Sequence, residues 1–198
     1  MAKNFALILV ALASLRGQMI PPTKNPDLVW RNKQISCEEK LLRSMKTKEI
    51  QKGSEYRALL DVAVAFDLDN PPRLYLSSRR GNASYLAGSV RNDGRGKIVV
   101  SREFAKRTRN TLALKGILAH EMAHLVSDVH GDESCVDWLM RDPKTEMAAD
   151  ALAAKKVGAG TVKAFLVKLE ELTEAMSGDM AMRIRALEKL EAQESRRR

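Results

Sequence analysis

Apolar residues recur at helical spacing along much of the chain. From residue 38 to about residue 67 this spacing predicts two helices, separated near Gly53, the second ending before Pro71 and Pro72. The same periodicity predicts further helices over residues 102–109, 111 to about 129, 145 to about 157, 161–176 and 180–192.

Three short stretches between these helices are typical of strands: residues 73–77, 84–90 and 97–101. Turn signals separate them at Gly81-Asn82 and at Asn92-Asp93-Gly94. We therefore expect a small antiparallel or mixed sheet packed against helices, which is an α+β fold.

The N-terminus has the form of a secretory signal. Lys3 precedes an apolar run from Phe5 to Leu15, which is too short to span a bilayer as a helix. Its small-x-small site, residues 11–13, comes early and Arg16 closes the run, so a buried or interfacial helix is an alternative. Prolines at 21, 22 and 26 then indicate a linker. We predict four parts: a signal-like or interfacial segment (1–20), a linker (21–37), a main domain (38–192) and a basic tail (193–198).

Cys37 and Cys135 bear on the compartment. In an oxidising compartment they could form one disulfide, whereas in the cytosol they would be two thiols. The signal-like start favours an exported, periplasmic or envelope-associated protein, with a cytoplasmic location as the alternative.

Composition narrows the classes of protein. A chain of 198 residues with 44% hydrophobic and 30% charged residues suits one globular domain. The net charge of +9 is spread along the chain with few aromatic residues, so we expect a solvated basic surface and no nucleic-acid partner. Peripheral association with a membrane stays open.

The segment from Gly116 to Val126 carries the motif HExxH within an apolar helix. His120 and His124 stand one turn apart, so both imidazoles can reach one metal ion from the same helix face. Glu121 then projects beside the metal, where it can take a proton from a water that the metal activates. The three residues indicate a zinc site of a hydrolytic enzyme.

A catalytic zinc of this kind needs a third protein ligand, and two candidates follow the motif. Glu146 begins a second helical segment in which Asp150, one turn on, could orient a ligand imidazole. His130 stands where HExxHxxGxxH places its third histidine, but Ser127 replaces the glycine that turns the chain there. Small alanines around Asp150 permit close packing on the HExxH helix and favour Glu146.

These motifs resemble the gluzincin peptidases of the HtpX and CaaX-prenyl-protease type, especially their small soluble members, the minigluzincins. The likeness extends from about Tyr56 to Leu190 and includes HExxH and a second helical motif from Glu146 to Asp150. It also includes three further segments: Asn82-Ala83 with Ser84 and Tyr85, the strand Lys97 to Ser101, and Arg183-Ile184 with Leu187.

The resemblance implies a zincin-like fold, with the small sheet packed on the HExxH helix and further helices following it. It implies one zinc ion per chain, bound by His120, His124 and Glu146, with Glu121 as general base. A polypeptide substrate would pair along residues 82–86, which include Asn82, Ala83, Ser84 and Tyr85. Ser177-Gly178 stands where relatives often have His-Pro, so Arg183 or a backbone donor would stabilise the transition state.

Three functions remain open from the sequence. The first is a metalloendopeptidase that cleaves extended or unfolded polypeptides. The second is a catalytically weak or inactive zinc-stabilised module that binds a partner. The absence of a histidine near Ser177 supports this function. The third is a metzincin-like peptidase with His130 as third ligand.

Overall fold

The fold is seen in a computed structural model, which describes residues 45–78, 87–90, 96–127, 142–173 and 178–196. These residues all fall within one unit of the chain, Ile35–Arg198. Several predictions concern residues outside the described ranges: the N-terminal segment, the linker, Cys37, Cys135, His130, Ser177 and the strand residues Asn82, Ala83, Ser84 and Tyr85. The domain boundaries therefore stay predictions.

Four strands and six helices are present in the described ranges. In chain order they are β1 (Thr47–Ile50), α1 (Ser54–Ala65), β2 (Arg73–Ser77), β3 (Ala87–Val90), β4 (Lys97–Ser101), α2 (Arg102–Arg107), α3 (Leu112–Val126), α4 (Pro143–Val157), α5 (Ala159–Thr173) and α6 (Gly178–Arg196). The expected α+β class is confirmed, and the strands and helices predicted from residue 54 onward are present within a few residues of their expected bounds.

The predicted helix before Gly53 is wrong at residues 47–50, which form strand β1, and residues 38–44 lie outside the described ranges. This strand pairs antiparallel with β2, Thr47 opposite Ser77 and Ile50 opposite Leu74. Its four residues are too few to establish a helical period, and pairing along β2 satisfies their backbone groups instead. Gly53, at a φ of 101°, then turns the chain into α1.

The sheet is mixed, with the strand order β1-β2-β4-β3. β2 and β4 run parallel, whereas β1 and β3 each pair antiparallel with their neighbour. The parallel register sets Leu74 beside Ile98 and Leu76 beside Val100, and all four are buried. One face of the sheet therefore contributes directly to the core. Within the described sheet, β1 and β3 are the edge strands.

Helix α3 is the central helix of the fold. It contacts α1, α4, α5 and the sheet, and its residues from Ala113 to Leu125 are buried except Lys115. A helix that is apolar on nearly every side belongs in the interior, as its sequence predicts. Its two histidines and one glutamate are therefore buried as well.

Local sequence signals explain the start of two helices near α3. Ser101 ends β4 and accepts a hydrogen bond from the backbone N–H of Phe104, which caps α2. Asp142 accepts one from the backbone N–H of Lys144, and Pro143 opens α4. None of the described helices is long and apolar enough to cross a membrane.

Candidate metal centre

Helix α3 presents His120 and His124 one turn apart, and both are almost fully buried, at 3% and 2% exposure. The two rings lie edge to face, with centroids 4.7 Å apart. Their Nε2 atoms are 3.2 Å apart. The histidine spacing in the sequence therefore places two imidazole nitrogens at one point, as the motif predicts.

Helix α4 brings Glu146 to the same point. Its Oε2 lies 3.1 Å from His120 Nε2, and its Oε1 lies 3.2 Å from His124 Nε2. The buried Ala149 and Ala153 follow on the same helix, and side chains of this size let two helices approach closely. Glu146 stands in the first turn of α4, so the cap at Asp142 also determines where its carboxylate lies.

The donor atoms of His120, His124 and Glu146 all lie within 4.8 Å of one another. Zinc bonds of 2.0–2.1 Å in a tetrahedral site separate neighbouring donors by about 3.3 Å. The contacts of 3.1–3.2 Å between these donors come close to that spacing. Two imidazoles and a carboxylate are also ligands that zinc accepts in catalytic sites. The residues therefore fit a zinc ion.

Asp150 fixes the protonation of His120. One of its carboxylate oxygens, Oδ1, lies 2.8 Å from His120 Nδ1. A carboxylate can only accept, so Nδ1 carries a hydrogen and donates to Asp150, and Nε2 is the ring nitrogen directed at Glu146 and His124. This arrangement is the carboxylate–histidine pair that commonly supports a metal ligand.

Arg183 of α6 joins the two carboxylates of α4. Its Nε lies 2.6 Å from Asp150 Oδ2 and its Nη2 lies 2.9 Å from Asp150 Oδ1. A third contact, from Nη1 to Glu146 Oε2, measures 3.1 Å. The forked guanidinium thereby holds Asp150 at two oxygens and also pairs with Glu146.

These contacts shift the pKa values of the charged groups in a consistent direction. Burial lowers the pKa of His120, but hydrogen bonds to Asp150 and Glu146 outweigh it and raise the pKa to about 9. Burial raises the pKa of Glu146 and of Asp150, yet hydrogen bonds to His120 hold both well below their usual values. The carboxylates are ionised, and their field favours a cation at the histidines.

Glu121 follows His120 on α3 and is buried, at 5% exposure. Burial lowers the pKa of Arg183, but Asp150 raises it through a hydrogen bond and its charge. The charges of Glu146 and Glu121 raise it further. Glu121 therefore belongs to the same electrostatic cluster as Asp150 and Arg183. HExxH predicts this neighbourhood, since the residue after the first histidine lies beside the metal site.

The structure brings together His120, Glu121, His124, Glu146, Asp150 and Arg183. The family resemblance placed Arg183 at the centre, but its ion pairs to both carboxylates could not be anticipated, because no local pattern predicts a contact between α4 and α6. The ring of Phe165 also lies against His120, with centroids 5.5 Å apart, and its only sequence signal is an aromatic residue within an apolar helix. His130 and residues 82–85 lie outside the described ranges, so their roles stay predictions.

Two histidines from one helix and a glutamate from a second define the gluzincin type of zinc metallopeptidase centre. Consistently, the family model of Peptidase family M48 matches residues 47–187, which is most of the chain. The protein belongs to this family of zinc-dependent peptidases. No curated protein and no solved structure matches the chain.

Proposed function

We propose that the protein is a zinc-dependent metalloendopeptidase of the HtpX and CaaX-prenyl-protease type, with one zinc ion per chain. Its ligands are His120, His124 and Glu146, and Glu121 is the general base. The observation that carries this proposal is the convergence of three donors from α3 and α4 at 3.1–3.2 Å, with the buried Glu121 next to His120 in the sequence.

The chemistry follows from where the side chains stand. Zinc, when bound, lowers the pKa of water to near 7 and polarises a carbonyl group. Glu121 accepts the proton that the water gives up as it attacks the substrate carbonyl, and then passes that proton to the leaving amine. Asp150 keeps the hydrogen of His120 on Nδ1 throughout, so that Nε2 remains a ligand.

Arg183 is the candidate for stabilising the transition state. The contacts to Asp150 and Glu146 engage three N–H groups of its guanidinium, which has five. The remaining two can donate to a developing oxyanion while the carboxylates hold the group in place. In this proposal Arg183 takes the place of the histidine that relatives often have near position 177.

An extended polypeptide is the substrate class that the sheet favours. β3 pairs with β4 on one side and ends the described sheet, and it also contacts α3, the helix that carries HExxH. An exposed sheet edge can accept a peptide as an added strand, because the peptide backbone satisfies its hydrogen bonds there. The family resemblance assigns this pairing to residues 82–86, which precede β3 in the sequence and lie outside the described ranges.

Hydrolysis of unfolded casein tests the proposal. The wild-type protein with zinc is compared with Glu121→Gln and with a chelated sample, and Glu103→Gln, an exposed residue of α2, is the control. We expect cleavage to fall roughly 100- to 10,000-fold in Glu121→Gln, the range of general-base catalysis, while one equivalent of zinc is retained. Glu103→Gln should cleave like the wild type.

The same experiment separates the alternative functions. Zinc bound at one equivalent without cleavage of casein or of a broad peptide library would favour the zinc-stabilised binding module. Zinc content in Glu146→Gln and in His130→Ala distinguishes the two ligand sets. We expect loss in the first and retention in the second; the reverse result would identify a metzincin-like site.

We further propose that the protein is exported and acts in the periplasm or at the envelope. The signal-like residues 1–20 support this location, as does the option of a disulfide between Cys37 and Cys135. Cell fractionation of the full chain and of a chain lacking residues 1–20 tests it, with thiol labelling of the two cysteines. Recovery of both chains in the cytosol with free thiols would contradict export, and recovery with membranes would indicate peripheral association.

A further inference from the structure

One neighbour of His120 has no part in the chemistry proposed above. Phe165 of α5 is buried, at 4% exposure, and its ring centroid lies 5.5 Å from that of His120, with the planes at 43°. Phe104 meets the same phenylalanine nearly edge to face, with centroids 6.3 Å apart and planes at 81°. Phe165 is therefore held between a core aromatic ring and a proposed metal ligand.

Gly116 allows α5 to bring Phe165 this close. It lies one turn before His120 on α3, and a Cβ atom at this position would stand 2.4 Å from the carbonyl oxygen of Thr161 and 2.8 Å from Cβ of Phe165. Neither distance is compatible with a side chain. The two helix backbones thus approach at the point from which Phe165 reaches the His120 ring.

We propose that Phe165 is a positioning residue that fixes the plane of the His120 imidazole. With the ring plane fixed, Nδ1 can donate to Asp150 while Nε2 stays directed at the metal. This inference rests on the proposed metal site, and it assigns to Phe165 the orientation of one ligand rather than any contact with substrate.

The physical reason is that hydrogen bonds alone leave the plane of the ring loosely restrained. Rotation about the bond between Cβ and the imidazole has broad minima, and a hydrogen bond such as that to Asp150 tolerates angular deviations of tens of degrees. A metal ligand must be held to about 10–20°. Packing against a buried aromatic ring supplies the missing restraint, because tilting the imidazole would drive it into Phe165.

Cobalt(II) binding to the full-length protein tests the proposal, with Phe165→Leu compared with Phe66→Leu. Phe66 is buried in the same core, and its ring faces Lys156 rather than the metal centre. The two variants carry the same substitution, so the loss of core packing is matched. Cobalt affinity is measured by competition with a chelator, and the ligand geometry is followed by the visible absorption bands.

We expect Phe165→Leu to weaken cobalt binding about tenfold or more, the effect typical of losing a group that supports a metal ligand, and to shift the visible bands. Phe66→Leu should change the affinity less than twofold and leave the bands in place. Equal effects of the two variants on affinity and spectrum would overturn the proposal, since Phe165 would then be ordinary core.

A measurement without metal keeps this inference separate from the proposed function. In the metal-free protein, exchange of the His120 Nδ1 proton with solvent, followed by NMR, should be at least several-fold faster in Phe165→Leu than in Phe66→Leu. That result would support positioning even if the wild type failed to cleave any substrate or to bind zinc. Identical exchange in the two variants would refute positioning even in an active peptidase.

Gly116→Ala provides a second variant that retains the phenylalanine ring. The added Cβ should displace α5, so this variant should also weaken cobalt binding and shift the bands. If Phe165→Leu does not fold, unchanged affinity and bands in Gly116→Ala would by themselves overturn the proposal.

Discussion

Two regions of the molecule join distant helices through charged side chains, and they differ in exposure. At the metal centre, Arg183 and Asp150 link α6 to α4 with side chains only 11% and 4% exposed. On the outer surface, Lys115 of α3 and Asp61 of α1 form an ion pair of 2.8 Å, with side chains 43% and 61% exposed. The shortest N–O distances are similar, at 2.6 and 2.8 Å, but the pairs differ in burial and in their number of contacts.

The difference in surroundings decides what each pair contributes. Water screens an exposed ion pair and solvates its members equally well apart, so the pair contributes little. Water does not solvate a buried charge, so removal of its partner leaves that charge uncompensated. The charges of the metal centre therefore depend on one another, whereas either member of the surface pair can be changed alone.

Arg183→Met should cause the largest loss of stability. It leaves Asp150 and Glu146 without their guanidinium, and breaking a buried ion pair in this way costs about 3–5 kcal/mol. Arg185→Met, on the exposed side of the same helix, is the matched control and should have almost no effect. Urea unfolding at pH 7 measures both. Equal stability of the two variants would mean that the buried arginine contributes no more to stability than the exposed one.

Zinc should stabilise the folded protein by the next largest amount. If the metal binds only the folded state, free zinc at 100 times Kd adds about 2.7 kcal/mol to the free energy of unfolding. Thermal unfolding of the metal-free protein with and without zinc measures the gain. Lys115→Ala should show the same gain as the wild type and Glu146→Ala a much smaller one; an undiminished gain in Glu146→Ala would remove this residue from the ligand set.

Glu55 provides an intermediate case, since its side chain is 11% exposed while that of its partner Arg109 is 59% exposed. Burial raises the pKa of Glu55, but hydrogen bonds from its own backbone N–H, Ser54 and Arg109 bring it below the ordinary 4.5. A lowered folded-state pKa contributes stability above pH 4.5, and this contribution disappears as the pH falls through the folded value.

Glu55→Gln should therefore lower the free energy of unfolding by roughly 1.5 kcal/mol at pH 7. The difference from wild type should shrink as the pH falls below 4.5. Urea unfolding across pH 3–7 checks this, with the exposed Glu103→Gln as control. A difference that stays constant over this range would show that the ionised carboxylate is not the stabilising form.

Lys115→Ala should have the smallest effect, about 0.2–1 kcal/mol, because its pair with Asp61 is exposed. Salt should reduce even this, since ions screen exposed charges. Unfolding at low and at high ionic strength provides the measurement. A loss comparable with that of Arg183→Met, or one insensitive to salt, would overturn the contrast between the two regions.

Local patterns in the sequence were sufficient for much of the fold. The helices from Ser54 onward and the strands Arg73–Ser77 and Lys97–Ser101 follow from apolar spacing and from the proline and glycine positions between them. β1 was missed because four residues carry no reliable period, and pairing with β2 makes them a strand. Of the metal centre, the positions of His120 and His124 were predictable, because residues four apart on a helix lie on the same face.

The sequence by itself determined which residue types stand one helical turn apart: the histidines on α3, and Glu146 with Asp150 on α4. Those positions are consequences of helix geometry and hold wherever the helices pack. Only the tertiary structure decided that α4 and α3 meet at a donor spacing suited to zinc, that Arg183 pairs with both carboxylates, and that Phe165 lies against His120. These contacts join residues dozens of positions apart, and they are determined by how whole helices fill one core, which no local period encodes.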